Sequence, residues 1–142
     1  MSETSVRLGP KTTVSSSTHP RTGLPSIILS RVKPDGCENS IYLEHEECES
    51  LKVNLVHIAE VIDTMQAKEE GEAILTPLKK LWVVEVSKYR GRIFSGIFMM
   101  FKDGTINRGC GMNFNLREWG ELARYVAATG IDDTPPRPLK RA

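Results

Sequence analysis

The chain has 142 residues, 39% hydrophobic and 26% charged, with a formal net charge of +1. That length suits one domain with a real core, and the composition is ordinary for a soluble globular protein. Global charge argues neither for nor against a nucleic-acid partner. The cysteines, Cys37, Cys48 and Cys110, are odd in number and unrelated in spacing. They argue against a disulfide framework and for a reducing compartment. No signal peptide opens the chain and no apolar run approaches membrane-spanning length, so a soluble intracellular protein without a membrane partner is expected.

Taken in order, residues 1–10 are expected to be a disordered arm. The whole Ser/Thr-rich stretch to about residue 20 is open to two readings, a disordered arm or a polar edge strand. A strand is predicted from Leu24 to Val32, then a turn at Asp35-Gly36 and a short strand around Ile41-Tyr42-Leu43. Cys48, Leu51, Leu55, Ile58, Ile62 and Met65 recur at steps of three and four, which predicts one helix from Glu46 to Met65. Its first turn carries Glu46, Glu47 and Glu49, where negative charge suits the macrodipole. Residues 67–78 read as a charged linker.

Strands follow near 80–87, 92–102 and 105–114, with an Asp103-Gly104 turn and a helix near 116–128. Asn115 and Glu118 resemble a capping box, and Trp119, Leu122 and Val126 form the buried stripe. Residues 129–142 read as a disordered, Pro-rich basic tail. Its Pro135-Pro136-Arg137-Pro138-Leu139-Lys140 fits a Pro-rich ligand pattern ending in a cation.

The second half repeats the first. Gly23 and Gly91, and the Asp35-Gly36 and Asp103-Gly104 turns, are related by one offset of 68 residues. After the turns the second copy is about three residues longer, which matches Cys48 and Leu51 to Trp119 and Leu122. The fold class expected is α+β, two copies of an antiparallel strand-strand-strand(-strand)-helix unit forming an intramolecular pseudo-dimer. One such unit cannot bury its apolar face alone. The units are set at residues 11–66, a degenerate copy, and 79–128.

The two copies differ in charge. From Lys79 to Arg108 seven cations stand against Glu85 and Asp103, whereas from Asp35 to Glu72 eleven acids face only Lys52 and Lys68. The basic stretch is also aromatic, and that combination suits nucleic acid because rings stack on bases while cations meet phosphates.

The ordered set Tyr89-Arg90-Gly91-Arg92, apolar strand, turn, Gly109-Cys110-Gly111, then Trp119-Gly120-Glu121-Leu122 resembles the C-terminal domain of positive cofactor 4. This is the single-stranded-DNA-binding transcriptional coactivator family, close in architecture to the plant Whirly proteins. The resemblance covers residues 81–126 well and 11–65 faintly. It implies a four-stranded sheet plus a helix, paired so that curved sheets grip single-stranded or melted DNA with little sequence preference. It implies Tyr89 as a stacking aromatic, Arg90 and Arg92 as the basic pair beside the glycine, and Phe101 at a family Trp position. Asn107 and Arg108 fall in the basic segment before the glycine pair.

The chain departs from the pattern where Phe98 replaces a basic residue and Cys110-Gly111 replaces Lys-Gly. In the first copy Arg21 stands opposite Tyr89 and Leu24 opposite Arg92.

The candidate nucleic-acid-binding residues are therefore Lys88, Tyr89, Arg90, Arg92, Phe101, Asn107 and Arg108. The competing reading of Lys88 to Arg92 is a solvated edge that deters aggregation. Phe94 and Phe98 share strand parity as a stacking platform or as core, and Trp82 and Trp119 read as packing. Cys37, His45, Cys48 and His57 match no usual ligand spacing, so neither a metal nor a cofactor is expected. With no nucleophile–base pair and no phosphate loop, catalysis is not expected either. The function expected is a nuclear, non-enzymatic binder of single-stranded DNA or RNA that acts as a transcriptional coactivator or regulator with transcription-machinery partners. A homodimer is among the assemblies open to it. The alternative is a protein–protein interaction module of the same fold that has lost nucleic-acid binding.

Overall fold

The computed structural model describes residues 5–79 and 81–128. It is an α+β fold with two antiparallel four-stranded sheets, each followed by helix. The first sheet is β1 (Ser5–Gly9), β2 (Thr12–Thr18), β3 (Pro25–Val32) and β4 (Glu38–Leu43), paired in chain order. Two helices come next, α1 (His45–Leu55) and α2 (Ile58–Gln66). The second sheet is β5 (Ala73–Pro77), β6 (Trp82–Tyr89), β7 (Arg92–Met100) and β8 (Ile106–Asn113), again in chain order, closed by α3 (Leu116–Ala128).

The repeat is visible bond by bond. In the Asp35-Gly36 turn, Cys37 N–H donates to Asp35 Oδ1 at 2.9 Å and Gly36 N–H to Lys33 O at 2.9 Å. In the Asp103-Gly104 turn, Thr105 N–H donates to Asp103 Oδ1 at 2.9 Å and Gly104 N–H to Phe101 O at 2.9 Å. Both glycines have φ of 90°, a backbone state that only glycine adopts without strain. The N–H donors hold both aspartates below the usual carboxylate range. Each sheet then enters its helix through an acceptor on the third helical residue. Glu47 Oε1 accepts from Glu44 N–H at 3.1 Å, and Glu118 Oε1 accepts from Asn115 N–H at 3.0 Å. Asn115 Oδ1 completes the second capping box by accepting from Glu118 N–H at 2.8 Å.

One core joins the two units. Ile27, Leu29, Ile41 and Leu43 from the first sheet and Val84, Val86, Ile97 and Met112 from the second are buried with Cys48, Leu51, Trp119 and Leu122. Alternation along each strand sends these residues inward and leaves the other parity on the outer faces. Helix α1 packs on β3, β4 and α3, while α2 covers β5, β6 and β7 and α3 reaches β1. Strands β4 and β8 meet edge to edge, where Asn39 Nδ2 donates to Gly111 O at 2.6 Å.

Three expectations change. Residues 5–9, expected within a disordered arm, form β1, because Leu8 is buried in the core and Ser5 to Gly9 pair with β2. Residues 73–77, expected within the linker, form β5, with Ile74 packed against the core and a full ladder to β6. Each unit thus has a fourth strand. The helix predicted over 46–65 is two helices broken at Val56-His57, where His57 takes φ −110° and ψ 3° and its N–H turns back to Asn54 O at 3.0 Å. The Pro-rich tail at 129–142 lies outside the described residues. Among the described residues no helix is long and apolar enough to cross a membrane.

Candidate nucleic-acid interface

The β6–β7 hairpin turns through Arg90 (φ 53°) and Gly91 (φ 76°), with Tyr89 and Arg92 as its closing pair. Two central residues with positive φ define the turn that matches strand twist. Arg90 bears the strain of that backbone state, roughly 1–2 kcal/mol for a residue with a side chain. Glu70 offsets it by accepting the backbone N–H groups of both Arg90 and Gly91. An acidic residue of the inter-unit connection thus holds the basic hairpin tip.

Parity places Tyr89, Ser87, Glu85 and Val83 of β6 on the outer face with Arg92, Phe94, Gly96 and Phe98 of β7. Tyr89 is 58% exposed and Phe94 38%. A guanidinium lies over each ring, Arg90 at 5.4 Å from the Tyr89 centroid and Arg92 at 5.9 Å from Phe94. Between them the face opens into a pocket of about 390 Å³ that Glu85, Phe98, Arg108 and Asn113 also line.

Phe98, only 4% exposed, lies flat because its neighbours have no side chains. A Cβ on Gly96 would sit 2.8 Å from the Phe98 ring, and one on Gly111 2.7 Å from it. Phe98 is therefore mainly packing, while Phe94 is the accessible ring.

Arg108 reaches this face through a bulge. The β7–β8 register jumps between Phe98↔Gly111 and Met99↔Asn107, leaving residues 108–110 unpaired with β7. Asn107 fixes the bulge, its Oδ1 accepting from Gly109 N–H at 3.0 Å. Re-aimed in this way, Arg108 reaches beyond β7 to the Glu85 carboxylate on β6, whose register partner on β7 is Gly96. Nε donates to Oε1 at 2.8 Å and Nη2 donates to Oε2. Glu85 is 2% exposed, and its carboxylate raises the Arg108 pKa further above the usual value. Arg108 stays cationic, but the pair as a unit is close to neutral.

The predicted residues divide. Tyr89, Arg90, Arg92 and Arg108 come together around one face. Lys88 borders the same pocket but has the opposite strand parity, and its ammonium donates to Gln66 O at 2.9 Å and Lys68 O at 3.0 Å, capping the end of α2. Phe101 is exposed but sits at the far end of β7, beside the Asp103-Gly104 turn. Asn107 serves the bulge. Glu85, Ser87 and Asn113 were missed, although counting back by two from Tyr89 would have found the first two.

The first sheet opens a smaller pocket beside Tyr42, His19 and Ser26, but among the described residues no guanidinium lies over a ring on its outer face. Its outer parity carries Ser15, Ser17, Ser26, Ser30, Ser40 and Tyr42, with Ser17 and Ser26 bonded to one another at 3.3 Å. At its hairpin His19 N–H donates to Leu24 O at 2.9 Å, so His19 rather than Arg21 stands where Tyr89 does. The loop is two residues longer there, which moves Arg21 out of register. No protein-family model and no curated protein matches the chain.

Proposed function

We propose that the chain is a non-enzymatic, coactivator-type protein of the positive cofactor 4 kind that binds single-stranded nucleic acid on the outer face of its second sheet. The observation that carries this reading is the pairing of Tyr89 and Phe94, two accessible rings on one face, each with its own guanidinium within 6 Å. Unstacked bases gain roughly 1–3 kcal/mol each on such rings, and the arginines follow the backbone phosphates. Duplex DNA hides its base faces, so the same surface favours melted strands. A nuclear setting and transcription-machinery partners belong to this proposal.

The test is an electrophoretic shift with a single strand and its duplex at low salt, repeated as salt rises. The single strand is expected to bind more tightly and to lose affinity steeply with salt. Equal binding, or none, would sink the reading. In the latter case the interaction-module alternative gains, and it has one observation of its own: the Glu85–Arg108 pair leaves the pocket's interior close to neutral.

A further inference from the structure

The Arg108 side chain is held by one edge only. Nε and one Nη2 hydrogen are spent on Glu85, and among the described residues Arg108 makes no other hydrogen bond. Its side chain is 59% exposed, whereas Glu85 beneath it is 2% exposed. The carboxylate therefore fixes the plane of the guanidinium and leaves its Nη1–Nη2 edge, two parallel N–H groups, directed away from Glu85. Arg108 itself lines the pocket that Tyr89, Phe94 and Phe98 also line. A fork of two parallel donors takes two adjacent acceptors, and aromatic walls take a planar ring. Guanine presents O6 and N7 together on one edge and is the base an arginine fork most often reads. A bare phosphate also offers two acceptors but gains nothing from the rings.

We propose that this pocket holds one unpaired guanine, its O6 and N7 on the outer edge of Arg108, with Glu85 as the positioning residue behind. The inference rests on the single-strand reading above and adds a base preference to it. Binding is then selective at one nucleotide and indifferent at the others. The Arg108–Glu85 pair, close to neutral as a unit, becomes the element of readout.

The test uses the full chain and fluorescence anisotropy with labelled thymidine homopolymers carrying one central substitution. Guanosine is expected to bind about 5- to 100-fold more tightly than thymidine at that position. Removing the N7 acceptor with 7-deazaguanosine should abolish most of this gain, an arm that needs no variant. In Arg108→Lys the guanosine-to-thymidine affinity ratio should fall close to one, because a point charge has no fork. Single-strand binding with no guanine preference, with an equal cytosine preference, or with no response to 7-deazaguanosine overturns the inference and leaves the single-strand reading standing. No binding to any oligonucleotide overturns both.

Discussion

Glu47 and Glu118 occupy the same position in the two units, and each reaches out of its own unit into the other. Glu47 Oε2 accepts from Leu81 N–H at 3.3 Å, and Glu118 Oε2 lies 3.5 Å from Arg31 Nη2. Both are buried acids in the first turn of their helices. Each carboxylate thus caps its helix with one oxygen and ties the units with the other, which is how a symmetric pair looks once it is written on one chain.

Replacing Glu118 with Ala removes a cap and a partly buried ion pair together. We expect unfolding in urea to show a loss of about 1–3 kcal/mol. Glu121→Ala, which breaks only the more exposed pair with Arg124 at 2.8 Å, should cost under about 0.5 kcal/mol. Equal losses would mean that the tie between units carries no stability.

The glycines of this fold separate cleanly by what a methyl would meet. Gly120 lies inside α3, and a methyl there would have nothing within 4 Å beyond its own helix backbone, so Gly120→Ala should raise stability by roughly 0.5–1 kcal/mol. At Gly96 the methyl meets the Met112 carbonyl and the Phe98 ring, and Gly96→Ala should lower stability by about 1–3 kcal/mol. Thermal melts of the two variants should move in opposite directions.

For the proposed binding face, Arg90→Ala with Arg92→Ala should weaken single-strand binding and flatten its salt dependence by roughly 0.7 for each phosphate no longer neutralised. Tyr89→Ala and Phe94→Ala should each cost about 1–3 kcal/mol of affinity with little change in that slope. Lys68→Ala serves as the control, since Lys68 pairs with Glu72 at 3.9 Å. A titration in which Lys68→Ala matches the double arginine variant would refute the assignment of the face.

Cys48 supplies a pH signature. Burial, reinforced by the Glu47 and Glu49 charges, pushes its thiol up from 9.0 to about 12. The folded state keeps the proton that the unfolded chain gives up above pH 9, so this stability is full below about 9 and is lost as pH rises toward 12. Cys48→Ala should show a flatter decline of stability over that window than the parent. Exposed Cys37 should react with a thiol reagent in the native protein, and Cys48 only on unfolding.

Much of this was legible from the residues alone. The Asp-Gly turns, the equivalence of Cys48 with Trp119 and the parity of Phe94 with Phe98 are local patterns. The break at Val56-His57 was hidden because Leu55, Ile58 and Ile62 keep helical spacing across it. Strands β1 and β5 were hidden for a different reason. They are five-residue edge strands, each with one apolar side chain turned to the core, Leu8 or Ile74. The Arg108–Glu85 pair needs the registers of three strands and a bulge, and residues 23 positions apart carry no local sign of it.

Fusing the two units has a consequence for how the molecule behaves on dilution. Two separate subunits meet at a rate set by their concentration and part when they are scarce. Here the connection through Glu70 and β5 keeps the second unit beside the first at a fixed effective concentration. Pairing of the sheets is then a first-order event, and the fold persists at nanomolar protein as it does at micromolar. The same covalent link frees each face from having to duplicate its twin. One sheet can carry serines on its outer face while the other carries rings and arginines.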